Sequence, residues 1–226
     1  MIDDFLQLIP PPLMNQSGLV FYSGRAAFQP PAQIYLMGIN PGGDRGLGAE
    51  IIGDHSLSVV NAKPERWSSY RDKWSCKGPG AEPMQRRIYH MFRQLGIDLE
   101  LTPSSNLIFV RSNNADALRS EFRRLADSCW PFHHAVVDRL RPRVILCMGE
   151  MCGGYVRRRW NARCFVDEFI EANERRWKST AHCNSKDQFV VTVTHPARAD
   201  WTNPQADPTP LVRRILDQSP LNFDSR

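Results

Sequence analysis

Two short polar motifs follow apolar runs whose composition is typical of buried strands. Asn40 lies in Gly38-Ile39-Asn40-Pro41-Gly42, and His195 lies in Thr194-His195-Pro196-Ala197-Arg198. A side-chain amide is too weak a base to deprotonate water, but its oxygen can hold and orient a water molecule, and an imidazole can donate a hydrogen bond to a departing anion. Each motif alone is also an ordinary turn sequence, so the pair has to be judged with the elements that position it.

Four apolar runs predict strands, at residues 33–38, 106–110, 144–149 and 188–194. Apolar residues at helical spacing predict helices over 84–95, which Gly96 closes, and over 122–140, with Pro131 as a kink or restart point. Further helices are predicted over 150–160 and 211–218. Strands that alternate with helices predict an α/β fold, which we expect to be a three-layer α/β/α arrangement around a central, mostly parallel four-stranded sheet.

The predicted topology gathers the polar motifs at one edge of the sheet. In parallel sheets, ligands bind beyond the carboxyl ends of the strands. Residues 38–42, the residues after Val110, Gly149-Glu150 and His195-Pro196 all follow predicted strands. We therefore expect the functional site at that edge.

The chain is expected to form one domain with an N-terminal extension. Residues 1–31 are rich in proline and are predicted to pack on the domain formed by residues 32–226. A long polar stretch with several glycines separates Pro41 from Pro83. A loop of this length is usually functional or carries short helices.

Composition indicates a soluble protein and is compatible with a polyanionic partner. The 226 residues have a formal net charge of +5, which is compatible with DNA binding. The arginine clusters at 86–87, 123–124, 157–159 and 175–176 are interpreted as solvated helix faces. No apolar run is long enough to cross a bilayer and no secretory signal is recognisable, so we expect a cytoplasmic monomer without a membrane partner.

The six cysteines predict neither a disulfide framework nor a metal site. No two of them form a Cys-x-x-Cys pair. Cys147 lies in an apolar run and is interpreted as a small core residue. We expect no metal and no cofactor.

The two motifs resemble those of the uracil-DNA glycosylase superfamily. Residues 38–42 resemble its first motif, in the form seen in mismatch-specific uracil and thymine-DNA glycosylases, and residues 194–198 resemble its second motif. Between them, residues 129–132 and 140–149 resemble the helix, Arg-Pro break and central strand of the superfamily. The resemblance keeps this order from about residue 34 to residue 198 and implies a uracil-DNA glycosylase-like fold.

The resemblance also implies a reaction. It is the hydrolysis of the N-glycosidic bond of uracil in single- or double-stranded DNA during base excision repair, after the base is flipped out of the stack, and it leaves an abasic site. Asn40 would position the attacking water and His195 would stabilise charge on uracil O2. The first motif contains no lysine, so no lyase step is implied. Substrate would contact the rest of that motif, namely Gly38, Ile39, Pro41 and Gly42.

Further site residues are assigned from the same resemblance. Trp74 is the predicted stacking partner of the base, although it could equally pin a long loop to the core. Asn113 is the predicted reader of uracil, because a side-chain amide pairs with O4 and N3 of uracil and mismatches cytosine. Arg198 and Trp201 are the predicted DNA contacts, either of which could fill the space that the flipped base leaves.

Two departures from the superfamily pattern keep alternatives open. Gly42-Gly43 stands where the standard uracil enzymes carry the tyrosine that excludes thymine, and Ala197 stands where a phosphate-binding serine is common. The chain could therefore be a mismatch-specific thymine or uracil glycosylase, a glycosylase for other damaged bases, or a catalytically weak DNA-binding homologue. A phosphate or nucleotide binder at Gly42-Gly43 is less favoured, because no GxGxxG or Walker pattern is present.

Overall fold

The structure is a computed structural model, which describes residues 2–44, 46, 49–74, 77–113 and 118–218. Within these residues the chain has an α/β fold. In chain order its helices and strands are α1 (Ile2–Leu6), β1 (Ile34–Gly38), α2 (Ile52–Asn61), α3 (Pro83–Leu95), β2 (Ser104–Asn106), α4 (Phe122–Leu140), β3 (Val144–Met148), α5 (Glu150–Arg159), β4 (Cys164–Ile170), β5 (Lys178–Cys183), β6 (Phe189–Val193) and α6 (Thr209–Asp217). No helix in the described residues is both long enough and apolar enough to span a bilayer.

The strands form one mixed sheet in the order β2-β1-β3-β6-β5-β4. The strands β2, β1, β3 and β6 pair in parallel, whereas β5 is antiparallel to β6 and β4 is antiparallel to β5. The prediction of an α/β fold is confirmed. The prediction of a four-stranded, mostly parallel sheet is wrong, because the sheet has six strands in its described residues and is mixed.

The strands β4 and β5 were not predicted because neither contains a continuous apolar run. Every side chain of β4 is exposed or half-buried, and along β5 buried positions alternate with more exposed ones. An antiparallel pair at the edge of a sheet needs only one covered face, so it tolerates polar residues that a central strand excludes. Lys178 of β5 forms an ion pair of 3.1 Å with Glu168 of β4, which suits two exposed neighbouring strands.

The second predicted strand, 106–110, is shifted in the structure to Ser104–Asn106. Residues 107–110 are buried and apolar, as a strand would be, but their backbone pairs with irregular segments. Ile108 donates to the carbonyl of Ile39, just beyond β1, and the Phe109 carbonyl accepts from the amide of Leu19. A buried apolar run reports burial, and it does not distinguish a regular strand from a covered loop.

Three other predictions concern helices. Gly96 has a φ of 70° and ends α3, as predicted. The helix α4 runs continuously through Pro131, so of the predicted kink or restart point the restart is wrong. The long stretch between the first strand and α3 contains α2, in agreement with the expectation of a short helix.

The core lies on both faces of the sheet, an arrangement compatible with three layers. Tyr35 and Cys147 pack on one face with α1, α2, α4 and α5. Leu36 and Leu146, which alternate with them along the strands, pack on the other face with α3 and α6. The apolar runs of the central strands follow from this double burial.

Residues from the N-terminal segment belong to the first of these cores. Phe5, Phe21 and Phe28 are completely buried. The rings of Phe21 and Phe28 meet edge to face at 5.3 Å, and Phe21 also contacts Phe132 of α4 at 5.7 Å. The segment thus covers the face of the sheet that α4 also covers.

We predict opposite effects of alanine at two adjacent glycines of α5. A Cβ on Gly153 would lie 2.0 Å from Thr192 Oγ1 of β6, so Gly153→Ala should lower the free energy of unfolding by about 1–3 kcal/mol. A Cβ on Gly154 would meet the ends of two flexible side chains, Glu150 Oε1 at 3.0 Å and Arg158 Nη1 at 3.7 Å. Gly154→Ala should therefore raise stability by about 0.5–1 kcal/mol, because alanine favours a helix. Urea denaturation of both variants measures the pair, and equal effects would contradict the packing of α5 on β6.

Candidate active site at the carboxyl edge of the sheet

The carboxyl ends of the four parallel strands meet at one edge. Along the sheet the order of these ends is Asn106, Gly38, Met148 and Val193, which lead directly into the two polar motifs and into Gly149. Asn40 and His195 leave strands that are separated only by β3, which corresponds to about 10 Å across the sheet. The fold therefore brings together the two residues whose chemistry was predicted from the sequence.

The amide of Asn40 is oriented by two hydrogen bonds. Its Nδ2 donates to the carbonyl of Pro41 at 2.6 Å and to Ser112 Oγ at 2.9 Å. The Pro41 carbonyl can only accept, so the nitrogen has to be on that side of the amide. The Oδ1 atom makes no hydrogen bond with the described residues, which leaves it free to accept one from a water molecule.

The first motif is held by the segment that follows β2. The Ser112 amide donates to the Pro41 carbonyl at 3.0 Å, and Gly42 and Ser112 form an isolated parallel bridge. Arg111 donates to the Gly42 carbonyl at 2.6 Å and to Ser17 Oγ at 3.3 Å. The position of Asn40 thus depends on contacts with residues far away in the chain.

His195 is a neutral hydrogen-bond donor in this setting. Burial, together with the charge of Arg198, lowers the pKa of His195 from 6.5 to about 4. The Ala197 amide donates to His195 Nδ1 at 3.1 Å, so the proton of the neutral ring has to be on Nε2. This Nε2–H has no partner among the described residues and can donate to a substrate.

Two arginines brace the loop that carries His195. Arg87 of α3 donates to the Pro196 carbonyl at 2.7 Å and forms an ion pair of 3.1 Å with Asp200. Arg175 donates to the Arg198 carbonyl at 2.8 Å and forms an ion pair of 2.8 Å with the completely buried Glu171. These contacts limit the freedom of the His195 loop.

Gly149 allows α5 to begin directly beside His195. It has a φ of 92°, a conformation that L side chains rarely adopt, and its Cβ position lies 3.6 Å from Cβ and Cδ2 of His195. The distance of 3.6 Å is an ordinary contact, so the backbone conformation, and not the packing, requires glycine at this strand end.

Asn106 is a further candidate site residue, which the sequence analysis assigned only to the start of a strand. It is the last residue of β2, is 4 % exposed and pairs in register with Gly38. A Cβ on Gly38 would lie 2.1 Å from Asn106 Oδ1, so only glycine allows the amide to occupy this place. Burial raises the pKa of the neighbouring Tyr22, and Asn106 offsets part of this shift.

Trp74 belongs to a row of aromatic rings that reaches Asn106. Tyr22 stacks on Tyr70 at 5.6 Å, and Tyr70 contacts Trp74 at 5.9 Å. Trp74 is half-buried, and its indole N–H donates to Ser69 Oγ at 3.0 Å. Trp74 therefore holds the long loop against the core, as the alternative interpretation predicted. The row of rings also connects Trp74 with the site.

The other predicted site residues have mixed environments. Pro41 is buried, Ile39 is half-buried, and Asn113 and Arg198 are exposed. Trp201 is completely buried, and its indole N–H donates to the Thr194 carbonyl at 3.1 Å. A ring in this position stabilises the loop beneath His195 and does not reach a DNA surface, so the prediction of a DNA contact for Trp201 is not carried further.

Within the described residues no three His, Cys, Asp or Glu side chains are grouped so that they could hold a metal ion. The arrangement can orient one water molecule and donate one hydrogen bond from a neutral ring. This combination suits the hydrolysis of a bond that releases an anion.

Comparison with known proteins provides no family assignment. The chain matches no model of a known protein family, and it matches no curated protein. The resemblance to uracil-DNA glycosylases therefore stays a prediction that rests on the motifs.

We predict that His195 stays neutral well below pH 6. An unfolded chain protonates near pH 6.5 and folded His195 near pH 4, so the unfolded state binds more protons in between. Since protons then favour unfolding, this residue's contribution to stability is present above about pH 6.5 and is lost as the pH falls towards 4. The ¹⁵N NMR signals of its ring, assigned from their absence in His195→Gln, should show the Nε2–H form at pH 7. A titration midpoint near 6.5 would be the contrary result.

Proposed function

We propose that this chain has a uracil-DNA glycosylase-like fold and is a monofunctional DNA glycosylase. It hydrolyses the bond between uracil and deoxyribose and leaves an abasic site. The observation that carries the proposal is the meeting, at one sheet edge, of two oriented neutral groups. These are the Asn40 amide, which has a free oxygen, and the His195 ring, which has a free N–H.

Asn40 acts on the attacking water. Its Oδ1 accepts a hydrogen bond from the water, whose oxygen forms a bond with C1′ as the bond between C1′ and N1 breaks. The amide does not take the proton, which passes to solvent. Because both hydrogens of Nδ2 are already engaged, the water site is formed before the substrate arrives, which reduces the entropic cost of the transition state.

His195 acts on the departing base. The bonding electron pair leaves with uracil, and negative charge collects on O2. A neutral imidazole donates its Nε2–H to this oxygen and keeps the proton, so the hydrogen bond strengthens as the charge develops. The backbone contact at Nδ1 supports this role, because it keeps the proton on the opposite nitrogen.

Asn106 is the proposed reader of the base. A side-chain amide can accept from N3–H and donate to O4 of uracil, while it mismatches the amino edge of cytosine. Its burial at the end of β2, beside the first motif, supports this role. Asn113 is exposed and remains the alternative.

DNA is the proposed partner, held through its phosphates near the two loops. Arg111 and Arg198 lie beside Asn40 and His195 respectively. Guanidinium groups in these positions neutralise phosphate charge without reading the sequence. The formal net charge of +5 agrees with this partner.

A mismatch glycosylase that also accepts thymine is the second candidate. Apart from its two chain neighbours, no described residue has an atom within 4 Å of the position where a Cβ of Gly42 would be, and Gly42 itself is exposed. The first motif thus presents no side-chain wall at this point that would exclude the methyl group of thymine. Excision of thymine from a G·T duplex without excision of uracil from a single strand would favour this candidate over the first.

We predict that Asn40→Ala and His195→Ala each slow uracil excision by about 10²–10⁴-fold. The assay measures single-turnover strand cleavage, after alkaline treatment, of labelled single- and double-stranded oligonucleotides that contain one uracil. His134→Gln, on the exposed side of α4, is the matched control and should retain the rate. If the wild type and both variants are equally inert but bind the oligonucleotide, the chain is a DNA-binding homologue and the catalytic proposal fails.

We predict that the two candidate base readers behave differently. Asn106→Ala should reduce uracil excision by about 10²-fold or more, because the buried edge of the base loses its polar partners. Asn113→Ala should change the rate by less than about threefold. Single-turnover rates on the same oligonucleotides, with thermal melts to confirm folding, compare the pair. A large loss of the uracil excision rate in Asn113→Ala, without a loss in Asn106→Ala, would instead support Asn113 as the reader of the base.

A further inference from the structure

A basic groove beside α3 lies outside the machinery described above. It has a volume of about 460 Å³, and its lining includes Arg71, Arg86, Tyr89, His90, Arg93 and Thr202. The volume is within the range of ligand-binding clefts. None of its lining residues in the described part of the chain is acidic.

The groove carries two arginines without ionic partners among the described residues. Arg86 and Arg93 are exposed and form no ion pair or hydrogen bond through their side chains within that part of the chain. The other two basic residues are paired, Arg71 with Glu100 at 3.2 Å and His90 with Asp207 at 3.2 Å. The excess positive charge of the groove is therefore carried by Arg86 and Arg93.

An exposed aromatic ring lies between these two arginines. Tyr89 is 43 % exposed, and the guanidinium of Arg71 is 5.4 Å from its ring centre. Residues 86, 89 and 93 are three and four positions apart on α3 and so share one face of the helix. Two free cations that flank an exposed ring form the pattern by which proteins bind single-stranded nucleic acid.

The groove begins at the loop that carries His195. Thr202 lines the groove, and its amide and hydroxyl both donate to Asp200. Asp200 is paired with Arg87, which also donates to the Pro196 carbonyl. These contacts connect one end of the groove with the loop that carries His195.

We propose that this groove binds single-stranded DNA that continues from the nucleotide in the site. Arg86 and Arg93 contact successive phosphates, and an unpaired base stacks on Tyr89. The continuity with the site rests on the proposed function, but binding in the groove itself does not. A single strand is the occupant because the bases of a duplex are already stacked on each other and have no free face for Tyr89.

The test measures fluorescence anisotropy of a fluorescein-labelled twelve-residue oligothymidylate, which contains no uracil. The double variant Arg86→Gln/Arg93→Gln should bind at least tenfold more weakly than the wild type at low salt. The slope of the logarithm of the binding constant against the logarithm of the salt concentration should be smaller in magnitude by about 1.4. This is the value for two lost phosphate contacts with a single strand, at about 0.7 per contact. An unchanged affinity and slope would overturn the proposal.

Arg158→Gln/Arg163→Gln is the matched control. It removes the same charge from exposed positions in the final turn of α5 and just before β4, at the opposite end of the sheet. It should bind the oligothymidylate within about twofold of the wild type. An equal loss of affinity in the two double variants would show that net charge causes the effect, and it would overturn the proposal that the groove binds DNA.

Tyr89 provides a second measurement that does not change charge. Tyr89→Ala should weaken binding by about 5- to 100-fold, whereas Tyr89→Phe should retain it, because stacking needs the ring and not the hydroxyl. Equal loss in both variants would contradict stacking. Competition by a fully paired duplex as effective as that by the unlabelled single strand would contradict the choice of occupant.

Failure of this proposal is distinguishable from failure of the proposed function. If uracil excision is absent but oligothymidylate binding depends on Arg86, Arg93 and Tyr89, the binding proposal for the groove is supported and the glycosylase proposal is contradicted. If uracil is excised and the groove variants bind the oligothymidylate like the wild type, the groove proposal falls alone.

Discussion

Parallel pairing of β2, β1, β3 and β6 brings four strand ends to one edge of the sheet, and the candidate site depends on it because Asn40, Asn106 and His195 share no local element. The register of this pairing is itself constrained. Gly38 lies opposite Asn106, and a one-residue slip of β1 would bring Met37 or Ile39 there. Either side chain would place a Cβ where the amide of Asn106 needs room, and every side chain of β1 would change face.

The site uses neutral groups for chemistry and charged groups for position. Asn40 and His195 offer an acceptor and a donor without a formal charge, whereas Arg87, Arg111 and Arg175 donate to backbone carbonyls of the loops that carry them. A protonated His195 would be costly in this buried position, as its depressed pKa indicates. A neutral ring avoids this cost and still donates a hydrogen bond. The arginines meanwhile supply positive potential that favours a polyanion without taking part in the proposed bond cleavage.

Close approach through glycine links the site to the packing of the domain. Gly149 lets α5 start against His195, and Gly153, one turn later, lets the same helix lie directly on Thr192 of β6. The helix and the strand that delivers His195 are therefore fixed to each other at two successive points.

The sequence by itself determined the α/β class, the four parallel strands in outline and the two loops. Strands buried on both faces need continuous apolar runs, and the polar residues that follow such runs are easily recognised as loops. It did not determine β4 and β5, since edge strands with one covered face tolerate polar residues. It also did not single out Asn106 as a candidate and did not show that Trp201 is buried. An amide at a strand end and a tryptophan in a polar loop have the same local signature whether they are buried or exposed. Only tertiary packing decided these two, by placing Asn106 against Gly38 and by covering Trp201 beneath the His195 loop.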